Sequence, residues 1–421
     1  MQNGKKLWQF PWSYRESFII SGSFAFIGFI IEFFTNHKGV ITPPWPINLI
    51  IILVFLAYII VVHNFINSPL VKWISSVPAA ISSVSVFTVL VLLLGFIPQD
   101  VPTTHGFAAN IGLHHMSKSW PYFLSAFYML TILGFTTVRK FWPLNIKNIA
   151  FTLNHAGLWL VIAAASLGSG DLYRLTMSVN RGGINNEAFD KNNRAYQIQF
   201  SIKLNSFDIQ FYNPNLAIYD NKKEKLILDK AEKLETANQG VSYNWHDWKF
   251  KVEKYIDWAS PDNNHNFIRN DTSMGTAPAA YITGTNIKTQ QKIAGWIYGG
   301  SFIFPGKLLE LNENYSLVLT EQTAKKFSSN INIYHNNGTH IKNIVIEVNK
   351  PYSFRGWKIY QTGYDETYGR WSNSSVFELV YDPWLPVVYV GIIMLLIGSL
   401  YLLWTGKAKK SKSVKEPVKE Q

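Results

Sequence analysis

Residues 151–168 read FTLNHAGLWLVIAAASLG, an apolar run with a histidine inside it. A bilayer interior holds no water, so an ionisable side chain there is costly and is kept for a task. His155 lies about one and a half helical turns from the start of the run, at ~1.5 Å per residue. Directly after it, the sequence turns polar and strand-rich from 170 to 383. An imidazole held in a span next to a large polar domain points to metal or haem handling. Transport through a pore is the competing reading.

The rest of the chain repeats the apolar pattern at both ends. Of 421 residues, 48% are apolar and 15% aromatic, concentrated before residue 169 and after 383. Six runs are long enough to cross a bilayer as helices, which takes ~17–25 residues each. They cover 17–35, 48–66, 79–97, 121–138, 149–168 and 384–404. Lysines and arginines set their orientation. Lys5, Lys6 and Arg15, then Lys72, then Arg139, Lys140 and Lys147, then the tail lysines 407–419 all fall on one side. Loops 36–47 and 98–120 carry a single lysine each and fall on the other. The first run has no cleavage pattern after it and reads as an anchor. The expected fold is a multi-pass α-helical membrane protein with six spans and both termini cytoplasmic. A large, mostly-β external domain is inserted between spans five and six. The expected division is 1–78, an added two-span segment; 79–168, spans three to five; 169–383, the external domain; 384–404, the sixth span; and 405–421, a Lys-rich disordered tail.

Within 169–383, YQIQFSIKL at 196–204 alternates, with Tyr196, Ile198, Phe200, Ile202 and Leu204 facing one way. FDIQF at 207–211 continues the period. YSLVL at 315–319, NIVIEV at 343–348, WKIY at 357–360 and VFELVY at 376–381 read as further strands, separated by turn residues. LILDKAEKLE at 226–235 reads as a short helix.

His155 is the sharpest candidate, since imidazole is the usual axial ligand of haem iron. A neutral histidine bonded across a helix interface is the plainer reading. His63, near the inner end of span two, falls at comparable depth because spans two and five run oppositely; a bis-histidine haem is one consequence. His114 and His115 lie just outside span four, with His105 before them in the same loop. Arg139 and Lys140 could pair with anionic propionates, though topology explains them equally; Arg139 or Lys147 could steer propionates at entry. WHDW at 245–248 reads as aromatic packing. The chain has no cysteine, so it supplies no thiolate ligand or thiol chemistry. No phosphate-cradling loop, dinucleotide fingerprint, zinc helix or nucleophile elbow is present. The net charge of +12 is explained by topology and anionic lipid rather than nucleic acid.

Four pieces together resemble one family: LLGFIPQ, SWPYFLSAFYMLTILGFTTVRK, NHAGLWLVIAAASLGSG, and the stretch from VNKPYSFRGWKIYQTGYDETYGRW to the sixth span. They are similar to the ResB (CcsB) family of cytochrome c biogenesis proteins over roughly 80–404. The resemblance implies a bacterial inner-membrane subunit with its large domain periplasmic, working in system II with a CcsA (ResC)-type partner. It implies delivery of haem b for attachment to an apocytochrome c, with His155 as the intramembrane ligand. The partner's tryptophan-rich haem segment has no counterpart here, so thioether formation is expected on the partner rather than on this chain. The two added spans are unexplained by the resemblance. A b-type electron carrier using His63 and His155, and a cofactor-free assembly scaffold, remain as alternatives.

Overall fold

The computed structural model describes residues 6–65, 67–99, 106–142, 145–227, 235–335 and 337–411, with side chains up to residue 404. Lys5, Asp100, His105 and the tail beyond Ser411 lie outside the described residues. Two compact units form: Met1–Leu172 with Tyr381–Gln421, and Tyr173–Val380.

The first unit is helical. Its elements are α1 (Tyr14–Phe34), α2 (Ile47–His63), α3 (Pro69–Ile74), α4 (Val77–Phe96), α5 (Phe107–Asn110), α6 (Trp120–Phe141), α7 (Ile149–Gly168) and α8 (Leu385–Ser411). Among the described residues, five helices are long and apolar enough to cross a membrane; α2, at 17 residues, is shorter. That length is at the lower limit for a span. The helix stops at His63 instead of continuing to 66. The short α3, absent from the expected pattern, starts on Pro69, whose missing N–H costs nothing at a helix start.

α6 touches α1, α2, α4 and α7. Its residues Ala126, Met129, Leu130, Ile132 and Phe135 are all buried. Small residues bring the helices close: Gly28 of α1 packs on the Pro121 backbone, and Ser21 of α1 donates to Ser82 of α4 at 2.9 Å. In lipid there is no hydrophobic drive between helices, so close backbone approach and such bonds hold the bundle.

The second unit is built of strands. An eight-stranded sheet runs in the order His340–Glu347, Ala324–His335, Ala195–Phe211, Ile184–Phe189, Tyr173–Asn180, Ser374–Tyr381, Trp357–Tyr364, Tyr352–Phe354. The first and last long strands of the insert are therefore neighbours. The sheet curls until His340–Glu347 meets Trp357–Tyr364, enclosing Leu175, Met177, Phe200, Ile202, Ile333 and Phe377. A second core, with Trp245, Phe250, Ile282 and Leu317, belongs to a five-stranded and a four-stranded sheet.

The strand at 195–211 differs from the expected pattern at one point. Ile198, Phe200, Ile202 and Leu204 are buried, but further on it is Ile209 that is buried, an odd position. The pairing with Ala324–His335 jumps from Ile331–Leu204 to Asn330–Ser206, leaving Asn205 as an extra residue. A one-residue bulge swaps the faces of everything after it. Asn205 donates to Asn330 Oδ1 at 3.0 Å, which gives the unpaired residue a partner. The helix expected at 226–235 is also revised. Lys225–Ile227 is a strand paired with Leu216–Asp220, and residues 228–234 lie outside the described residues.

On this sheet, Lys326 and Lys350 ammonium groups lie 2.6 and 2.8 Å from the Glu347 carboxylate. These bonds hold its pKa down at about 2, from an ordinary 4.5. A carboxyl depressed by folding adds stability that is complete above its unfolded pKa and is lost as pH falls through the folded one. Unfolding of the β-rich unit should therefore become easier as pH drops from 4.5 to about 2. Glu347→Gln should flatten that part of the profile. Identical profiles for the two proteins in a pH series of thermal melts would refute the assignment.

Candidate functional site

α7 carries His155 between two packed faces. On one side Gly157 faces α8, where an added Cβ would lie 2.6 Å from Gly391 O. Asn154 donates to Ser399 Oγ at 2.5 Å on the same side. On the other, Trp159 Nε1 donates to Leu130 O of α6 at 3.1 Å. At 100° per residue, His155 falls on the flank between these faces, with Phe151 and Ile162. It is half-buried there.

Its ring is oriented by its own helix. Nδ1 lies 2.9 Å from Phe151 O, and the Phe151 ring stacks on the imidazole with centroids 3.7 Å apart. A carbonyl oxygen only accepts, so Nδ1 carries the proton. Nε2 makes no hydrogen bond among the described residues. In the neutral ring, its lone pair is then free to bind a metal. Backbone support for the second nitrogen is the usual arrangement of a metal-binding histidine.

His63 is half-buried at the end of α2. Asn48 of α2 bonds to Leu167 O of α7, and Phe55 packs on Trp159. Continued along that antiparallel pairing, His63 comes level with Phe151–Thr152, about one turn from His155 toward the start of α7.

His114 and His115 lie on the turn Leu113–Lys118, which Gln99 holds through bonds to Leu113 O (3.0 Å) and Met116 N (2.9 Å). His114 repeats the His155 arrangement: Nδ1 lies 3.0 Å from Pro98 O and Nε2 is free among the described residues. His115 differs, because its Nε2 meets Glu32 Oε1 at 3.0 Å. Glu32, fully buried near the end of α1, also accepts from Gly39 N at 3.1 Å and Trp120 N at 2.9 Å. At the opposite ends of the helices Arg139 is exposed and donates to Ser75 Oγ at 3.0 Å; Lys147 is exposed as well.

Comparison with known families adds one finding: a model of the ResB-like family matches residues 309–375. Over that stretch the chain is similar to the ResB-like family. No curated protein matches it. The matched stretch lies wholly in the β-rich unit, and the helices bearing the histidines lie outside it.

The ResB-like stretch ends near Arg370, whose guanidinium stacks between Trp258 (3.9 Å) and Trp371 (4.6 Å). Burial pushes its pKa below the ordinary arginine value, against the pull of Asp271 and Asp208. WHDW is a hairpin corner: Trp245 pairs with Trp248, both are buried, and His246 is exposed. Two residues that sequence reading passed over hold the helical unit together. Glu32 was visible as an acid inside an apolar run, the same signal that singled out His155. Asp171, just past α7, accepts from Trp45 N, Asn48 Nδ2 and Trp384 Nε1, each at 2.7 Å.

Proposed function

We propose that this ResB-like protein is a membrane subunit of the system II cytochrome c biogenesis machinery. It takes haem b as cargo and, with a CcsA-type partner, passes it to an apocytochrome c. In this reading six helices span the bacterial inner membrane, both termini are cytoplasmic and the β-rich unit is periplasmic. The family match supports a role in cytochrome c biogenesis. The observation that carries the haem reading is the His155 ring, with Nδ1–H fixed on Phe151 O and Nε2 unengaged among the described residues.

Haem supplies an iron with open axial positions, and His155 Nε2 would occupy one. Haem is apolar at its ring and doubly anionic at its propionates. A crossing therefore needs an iron ligand at membrane depth and cations at the ends. Arg139 and Lys147 are the exposed cations near the inner ends of α6 and α7. The half-buried position of His155 suits a ligand site completed by a neighbouring subunit. The β-rich unit would brace the partner or present the apocytochrome.

The test is to purify the chain with its partner and record the haem spectrum and the yield of matured cytochrome c. His155→Ala should lose most of the bound haem and lower maturation about tenfold or more, the scale of losing one strong ligand interaction. Unchanged haem content and maturation would refute it. His63→Ala separates the electron-carrier alternative, which requires loss of a reversibly reducible bis-histidine spectrum from the purified chain.

A further inference from the structure

The positive-inside pattern leaves each of the loops 36–47 and 98–120 with one lysine, Lys38 and Lys118. The fold brings these two, from loops eighty residues apart in sequence, to the wall of one cavity of about 380 Å³. Thr42, Ser117, Ser166 and Ser169 add hydroxyls to the lining, while Ile41 and Phe123 add apolar surface. Val40 N donates to Lys118 O at 2.7 Å, which ties the two loops together. Both lysines are exposed, and among the described residues neither has a carboxylate within 4 Å. Among the described residues, the acids nearest to them in the chain are already engaged, Glu32 by His115 and two backbone N–H groups and Asp171 by three donors; Asp100, in the same loop as Lys118, lies outside the described residues.

We propose that this cavity holds the carboxylates of haem at the outer end of its path. The proposal rests on the haem reading above and extends it to the opposite face from Arg139 and Lys147. Two cations with no carboxylate partner among the described residues, beside hydroxyl donors on a partly apolar wall, suit a ligand with paired anionic groups on an apolar body. The same short turn that supplies Ser117 and Lys118 carries His114, whose Nε2 is free among the described residues. A ligand bearing both a metal and carboxylates meets matching groups there, which a phospholipid does not.

Iron-free protoporphyrin IX tests the carboxylate contacts alone. The full chain in phosphatidylcholine nanodiscs is titrated with this porphyrin and with its dimethyl ester, following porphyrin fluorescence anisotropy. The acid should bind saturably and the ester should not. Lys38→Ala with Lys118→Ala should weaken the acid about tenfold or more, and Lys38→Arg with Lys118→Arg should restore it. Both positions are exposed, so folding is spared. Equal binding of acid and ester, or an unaffected double-alanine protein, overturns the proposal. Displacement of the porphyrin by a soluble short-chain phosphatidylglycerol, but not by the matching phosphatidylcholine, assigns the cavity to an anionic lipid headgroup and overturns it too. Because no iron is present, failure here leaves the His155 experiment standing, and failure of His155 does not alter this readout.

Discussion

Asp171→Ala is expected to lower the stability of the helical unit by about 3 kcal/mol, since three donors lose a charged acceptor at once. The carboxylate joins three parts of the chain: Oδ1 accepts from Trp45 N before α2, and Oδ2 from Asn48 in α2 and Trp384 before α8. Asp171 and Asn48 are both buried, so water cannot easily replace the lost bonds. The measurement is a thermal melt of the purified chain in detergent, followed by tryptophan fluorescence.

Asp171→Asn sharpens this expectation. An amide offers one oxygen and one NH2 group, and both carboxylate oxygens now face donors. Whichever way the amide turns, its nitrogen meets an N–H group, so asparagine should rescue little. A melt for Asp171→Asn that matches the unaltered protein would show that the negative charge is not what joins these segments.

The parts of the structure legible in the sequence are those set by local periodicity. Long apolar runs gave five helices within three residues of their observed ends, because local apolarity sets them; α8 runs on to Ser411, seven residues past its apolar run. The alternation of Ile198, Phe200, Ile202 and Leu204 gave a strand with its buried face correctly placed. The parity change at Asn205 was not legible, since a bulge is specified by the partner strand and by its asparagine bonds. The same limit applies to the candidate site. His155 stood out as a residue type in an apolar run, and its carbonyl partner four residues back is a local relation. Glu32 meeting His115, and Lys38 meeting Lys118 across one cavity, depend on how distant loops pack. Nothing in the spacing of those residues reports it. The His63 reading shows the intermediate case: opposed helices set its approximate depth, but the contacts of Asn48 and Phe55 were needed to place it a turn from His155.

Gly157→Val is expected to separate α7 from α8, with a loss of about 3 kcal/mol, the upper part of the range for overpacking. A Cβ at this position would lie 2.6 Å from Gly391 O and 2.8 Å from Leu395 N, both backbone atoms that cannot turn aside. Gly391 is equally confined, with Gly157 O at 2.8 Å, and a Cβ at Gly398 would meet Ala150 O at 2.8 Å. Three glycines thus let two backbones touch along the helix that carries His155. Helix propensity pulls the other way, since replacing glycine by alanine inside a helix gains roughly 1 kcal/mol. Gly22 of α1 isolates that gain, because a Cβ there has nothing within 4 Å. Gly22→Ala should therefore be neutral or stabilising, Gly157→Ala destabilising, and Gly157→Val more so. Separation of the helices would also stretch the Asn154–Ser399 bond, one residue from His155. In the proposed role, the Gly157 variants should then retain less haem in proportion to their loss of stability, whereas Gly22→Ala should retain it fully. If Gly157→Val melts with Gly22→Ala, the helix pair is not held by close backbone contact, and the position of His155 does not depend on α8.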